Sequence, residues 1–132
     1  FTPLIAAMAG NVGVQSSAII VQGLANNTII GPVVERLLKE LSLSLLNGII
    51  LSIILLAGSY FLLGYEIHVG YTVSIALLSV IIMASLIGTF IPIILNKYGV
   101  DPALATGPFI TTSNDILGIL TYFTIAKIIL GI

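Results

Sequence analysis

Residues 103–130 read ALATGPFITTSNDILGILTYFTIAKIIL, and the only charges in them are Asp115 and Lys127. At about 1.5 Å rise per residue, a helix of this length crosses a hydrocarbon core about 30 Å thick. Three comparable blocks precede it, Pro3–Ala25, Leu41–Gly64 and Val69–Leu95, and none of them carries a charge. No block shows the period-2 alternation of a barrel strand, and only helices or closed barrels satisfy the backbone in lipid. The reading is an all-α, polytopic integral membrane helical bundle with four spans. Composition agrees: 58% of the residues are hydrophobic and 7% charged, and the mean hydropathy of +1.24 lies far outside the range of soluble domains.

The same composition excludes whole classes of function. Four basic against five acidic residues give no field that could hold nucleic acid. With no cysteine there are no disulfides, thiolate metal sites or thiol nucleophiles. No nucleophile, base and oxyanion set converges anywhere, so the chain is not read as an enzyme. The opening Phe1-Thr2-Pro3-Leu4 has neither an initiator Met nor a signal-peptide pattern. Residues 1–132 are therefore expected to be a fragment of a longer membrane protein, one that opens inside or just before a spanning helix.

The connections set an orientation. In NNTIIGPVVERLLKEL (residues 26–41), Gly31-Pro32 breaks the chain. Val33, Val34, Leu37, Leu38 and Leu41 then face away from Glu35, Arg36, Lys39 and Glu40. This predicts a short interfacial amphipathic helix, with Glu35–Lys39 and Arg36–Glu40 as i,i+4 pairs on its solvated face. The second connection, GYEIHVG, has no Lys or Arg, and the third carries Lys97. The positive-inside rule then puts the first and third connections in the cytoplasm and the C-terminus outside. His68 and Glu66, in the second connection, are read as solvated rather than as a metal site.

Two segments are polar where lipid forbids it. In GNVGVQSS (residues 10–17), Gly10 and Gly13 thin the helix, and Asn11 and Gln15, four apart, share a face. Close helix–helix packing and a ligand path are equally good explanations of that pattern. In the last span Asp115 lies near the midplane, where a carboxylate costs about 2.5–3.5 kcal/mol. Thr111, Asp115, Gly118 and Tyr122 form one stripe, flanked by Thr112 and Asn114. No base lies at comparable depth in another span. A proton, a hard cation or a partner from elsewhere remains, and carboxylate with hydroxyl and amide oxygens suits Mg²⁺, Ca²⁺ or Na⁺. A two-fold axis would double the charge by bringing two copies of Asp115 together.

Taken in order, PLIAAMAGNVGVQSSAIIVQGLA, GTFIPIIL and GVDPALATGPFITTSNDILGIL resemble the transmembrane domain of the MgtE magnesium transport proteins. The eukaryotic solute-carrier magnesium transporters are distantly similar. The resemblance implies a five-helix domain that forms a homodimer, with the ion path near the dimer axis and lined by the second and fifth helices. This chain would supply helices two to five. The aspartate of the family's PFxTTxxDxxG motif, which binds the ion, is Asp115. Thr111 matches a position whose backbone carbonyl lies near the ion, and Asn11 matches the pore-facing amide of GNxGxQ. Gly10, Gln15, Thr112, Asn114 and Gly118 complete the implied path. One departure is Gly107, where some members carry a polar side chain, which leaves the cytoplasmic side of the site a ligand short. Members commonly carry cytoplasmic regulatory domains that sense Mg²⁺, and this sequence contains none.

The implied function is passage of Mg²⁺ into the cytoplasm through a homodimeric pore in the cell membrane. The alternatives are a proton- or Na⁺-coupled divalent cation carrier and a membrane scaffold whose polar residues only hold helices together.

Overall fold

The structure, a computed structural model, describes residues 1–28 and 32–132, and Val33 by its backbone alone. The expected spans are four helices: α1 (Thr2–Ala25), α2 (Val33–Ala57), α3 (Ile67–Lys97) and α4 (Pro108–Leu130). Each is long and apolar enough to cross a membrane, and the chain is a multi-pass helical membrane protein. Pro3 and Pro108 stand in first turns, where a missing N–H leaves no bond unmade. Gly131, at φ 69°, closes α4 by donating its N–H to the Lys127 carbonyl at 3.0 Å.

The first connection differs from its expectation. No separate interfacial helix forms after Pro32. Residues 33–41 are instead the opening turns of α2, continuous with the second span. The break expected at Gly31 lies outside the described residues. Both i,i+4 pairs are present, Lys39–Glu35 at 3.6 Å and Arg36–Glu40 at 3.4 Å. Glu40, however, is buried, while Val34 and Leu38 point outward. The solvated charged face holds for Glu35 and Lys39 but not for Glu40, because α2 turns a polar stripe, not an apolar one, toward the bundle: Glu40, Ser44, Gly48 and Ser52 recur every four residues and are all buried.

That stripe packs along α3. Ser44 meets the Ser85 hydroxyl, and Ser52 donates to the Ser74 carbonyl at 2.9 Å. A Cβ on Gly48 would lie 2.6 Å from Leu78 Cδ1, and one on Gly70 would lie 2.9 Å from Leu56 Cδ1. Apolar surface gives no drive for association in lipid. Small residues that let backbones approach, with interhelical hydrogen bonds of about 0.6 kcal/mol each, do that work instead.

α3 is the central helix. Half of its most apolar stretch is buried, against 44% in α1 and 17% in each of the segments Val34–Leu62 and Pro102–Leu130. Its Ala76, Leu77, Val80, Ile81 and Ala84 pack with Ile5 and Ala9 of α1 as the apolar core. Pro92 lies buried within α3, where it withdraws a donor from the Gly88 carbonyl.

The last span is broken. The apolar segment Pro102–Leu130 consists of a short 3₁₀ turn, Pro102–Ala105, and then α4. Between them Gly107 adopts φ 60° and ψ −131°, backbone that L side chains avoid. Glycine at 107 is thus dictated by the chain's path, although a Cβ there would meet nothing within 4 Å. A polar ligand at this position would cost backbone strain.

Candidate functional site

The site is built where α1 and α4 cross. α4 enters from Gly107, and Thr111 donates its hydroxyl to the Gly107 carbonyl at 3.0 Å, securing the first turn. One turn on, Asp115 is half-buried against the backbone of α1. A Cβ on Gly10 would lie 2.8 Å from Asp115 Oδ1 and 3.3 Å from Thr111 Cγ2. The carboxylate therefore occupies the space that Gly10 leaves, and any larger residue at 10 would push it away. Gly10, Thr111 and Asp115, remote in sequence, are brought together.

Among the described residues, no base pairs with Asp115. The ion pairs among the described residues are Arg36–Glu40 and Lys39–Glu35, both within α2. No group of three or more His, Cys, Asp or Glu side chains forms a ready-made metal cage among those residues. One chain thus offers one carboxylate, with the Thr111 side chain beside it. Such a set suits a hard cation that keeps most of its waters, as Mg²⁺ does, and suits a soft metal poorly.

The remaining sequence candidates divide. Asn11 and Thr112 are exposed. Gln15 is also exposed, but it borders a groove of about 350 Å³ between α1 and α2, shared with Glu40 and Asn47. Asn114 is fully buried: a Cβ on Gly13 would lie 1.8 Å from its Nδ2 and 3.0 Å from Ile110 Cγ2. Neither of its amide atoms has a hydrogen-bond partner among the described residues. Gly118 is buried where a Cβ would lie 2.9 Å from the Ala9 side chain. Within this chain, then, the polar stripe of α4 is at the crossing with α1 at Thr111 and Asp115, and becomes helix packing at Gly118.

Gly10 and Gly13 answer the two readings of their segment separately. Gly10 makes room for the carboxylate. Gly13 makes room for two neighbours, Asn114 on one side and Gly88 on the other, where a Cβ on Gly88 would lie 2.5 Å from the Gly13 carbonyl oxygen. His68 is exposed at the start of α3, as read from the sequence.

A second polar cluster escaped the sequence reading. Glu40 is 7% exposed, and its Oε2 accepts from Ser16 of α1 at 3.5 Å and from Ser85 of α3 at 3.3 Å, while its Oε1 faces Arg36. The signal was present as the four-residue spacing of Glu40, Ser44, Gly48 and Ser52, which the surrounding charges obscured.

Comparison with known proteins identifies the family. The family model described as "MgtE: Divalent cation transporter" matches residues 2–125. The magnesium transporter MgtE of Bacillus subtilis (strain 168) is 39% identical over 127 residues, which are 96% of this chain and 28% of that protein. Its counterpart from Enterococcus faecalis is 38% identical over 130 residues, 96% of this chain and 28% of the relative. The Thermus thermophilus protein is 33% identical over 131 residues, 98% of this chain and 29% of the relative. The chain thus spans less than a third of the length of these curated relatives.

Proposed function

The chain belongs to the MgtE divalent cation transporter family, and from that premise we propose that it is the ion-conducting membrane part of a protein that carries Mg²⁺ into the cytoplasm. Two copies face each other across a two-fold axis, and Asp115 of each binds the passing ion. The observation that carries this reading is the seat of Asp115, an unneutralised carboxylate lodged against Gly10 within a membrane-crossing helix. An ionised group there costs free energy, which a passing cation offsets. Both copies together would supply two negative charges, enough to hold a hydrated Mg²⁺ through one or two carboxylates.

Thr111 lies beside the carboxylate, and the exposed amide of Asn11 follows Gly10 directly. These residues supply oxygens to the ion's water shell, and transport follows from binding weak enough to release. Thr112, exposed next to Thr111, borders the same route, whereas Gln15 opens onto the groove between α1 and α2. Arg36 and Lys39 in the opening turns of α2, and Lys97 at the end of α3, support a cytoplasmic location for the first and third connections, with the C-terminus outside.

The test is Mg²⁺ influx into proteoliposomes, followed with a fluorescent indicator. Asp115→Asn keeps the shape and removes the charge. Influx is expected to fall on the order of 100-fold, as for loss of a charged ligand worth about 3 kcal/mol. Undiminished influx through a correctly assembled variant would overturn the reading.

A further inference from the structure

Glu40 is a buried carboxylate that ion binding at Asp115 does not use. It stands on α2, and it reaches the two helices packed beside it through Ser16 of α1 and Ser85 of α3. Ser44, one turn along α2, donates to the Glu40 carbonyl at 2.6 Å and also meets the Ser85 hydroxyl. A single side chain therefore ties three helices. Its only charged neighbour among the described residues is Arg36 on its own helix, at 3.4 Å.

Stability alone is a poor reason for such a group. A buried carboxylate costs desolvation energy that hydroxyls and one half-exposed base recover incompletely, and apolar replacements of similar volume are often neutral or stabilising. What a hydrogen-bonded charge does supply is a unique arrangement, because the helices can satisfy it in one register only.

The register that Glu40 fixes is the one that seats Asp115. Ser16 lies one turn beyond Gly13 on α1, and its Cβ is 3.1 Å from where a Cβ on Gly88 would stand. Gly88, three residues beyond Ser85 on α3, rests on the Gly13 carbonyl. Gly13 in turn abuts Asn114, and Gly10, a turn earlier, abuts Asp115. From Ser16 to Gly10 is about 9 Å of rigid helix at about 1.5 Å per residue. Sliding or rotating α1 at Ser16 moves Gly10 with it, and the carboxylate in its lee moves too.

We propose that Glu40 is a positioning residue for the ion path, holding α1 through Ser16 and Ser85 so that Gly10 presents Asp115 to the ion. The proposal rests on the reading of Asp115 as the ion-binding carboxylate. It makes Glu40 a determinant of ion affinity from another face of α1, without contact with the ion.

The experiment uses the full chain in proteoliposomes and compares Glu40→Leu, Glu40→Gln, Ser16→Ala and Asp115→Asn, with Ser42→Ala as control. The Ser42 hydroxyl bonds only the Leu38 carbonyl of its own helix, on an exposed face. Glu40→Leu is expected to raise the half-saturating Mg²⁺ concentration on the order of tenfold, as misplacement of a binding group by a fraction of an ångström does. Glu40→Gln, which keeps the length and one acceptor, restores most of it. Ser16→Ala shifts it in the same direction by about threefold, for loss of one hydrogen bond. Ser42→Ala leaves it unchanged.

Spin labels on the exposed positions 7 of α1 and 120 of α4 read the helix placement without transport, against a background free of native cysteine. Their distance distribution is expected to shift or broaden in Glu40→Leu and to recover in Glu40→Gln. An unchanged distribution together with unchanged half-saturation overturns the proposal. So does a fall in melting temperature with half-saturation unmoved, the mark of a brace with no positioning role. If Asp115→Asn transports normally while the label distance still responds to Glu40, the ion-path reading has failed and the link from Glu40 to α1 has not.

Discussion

Two carboxylates meet α1 on different faces, and they are treated differently. Glu40 meets Ser16, Ser85 and Arg36, so each oxygen has a polar neighbour. Asp115 meets the backbone at Gly10 and no base among the described residues. Satisfied buried charge specifies an arrangement, whereas unsatisfied charge at membrane depth is available to something that arrives. The contrast separates a group that holds the bundle from one that can hold an ion, though both are single acidic residues in apolar helices.

That contrast can be broken at its glycines. The largest effect on folding is expected from Gly88→Ala. Its new Cβ would lie 2.5 Å from the Gly13 carbonyl oxygen, backbone that cannot swing aside. Overpacking of this kind costs about 1–3 kcal/mol, to be seen as a lowered melting temperature in detergent. Gly10→Ala should behave otherwise, because the atom in its way, Asp115 Oδ1 at 2.8 Å, ends a side chain that can rotate. Stability should fall by less than about 1 kcal/mol, while the half-saturating Mg²⁺ concentration rises severalfold. Equal melting losses and equal transport losses in the two variants would erase the distinction between packing glycine and site glycine.

The smallest effect is expected at Asn114. Its buried amide has no partner among the described residues, so Asn114→Leu removes a desolvation cost without removing a bond. Melting temperature should hold or rise, by the equivalent of about 1 kcal/mol at most, with Mg²⁺ influx within twofold of the parent. A folded Asn114→Leu protein that no longer transports would return this residue to the ion path, where the family resemblance put it.

Much of this was legible in the chain itself. Uninterrupted apolar blocks of the right length fix four helices, because lipid leaves the backbone no other way to satisfy itself. Asp115 stood out because a carboxylate within an apolar span is costly unless something there offsets it. The segments that misled were those with two consistent local patterns. Residues 33–41 alternate well enough for a surface helix, yet Glu40 also opens the four-residue stripe that α2 buries, and only the position of α3 selects between them. Asn114 and Asp115 are adjacent and both polar. Which of them faces Gly13 and which faces Gly10 depends on the roll of α4 against α1.

The sequence by itself determined the membrane class, the number of spans, and that a carboxylate without a base sits deep in the last of them, since each follows from composition and depth along one helix. Tertiary structure alone decided the pairing of Asp115 with Gly10, the inward turn of Glu40 and the burial of Asn114. Those depend on the rotation and height of one helix against another, set by small side chains that must meet across a gap, and periodicity within a single helix does not encode which neighbour will be there.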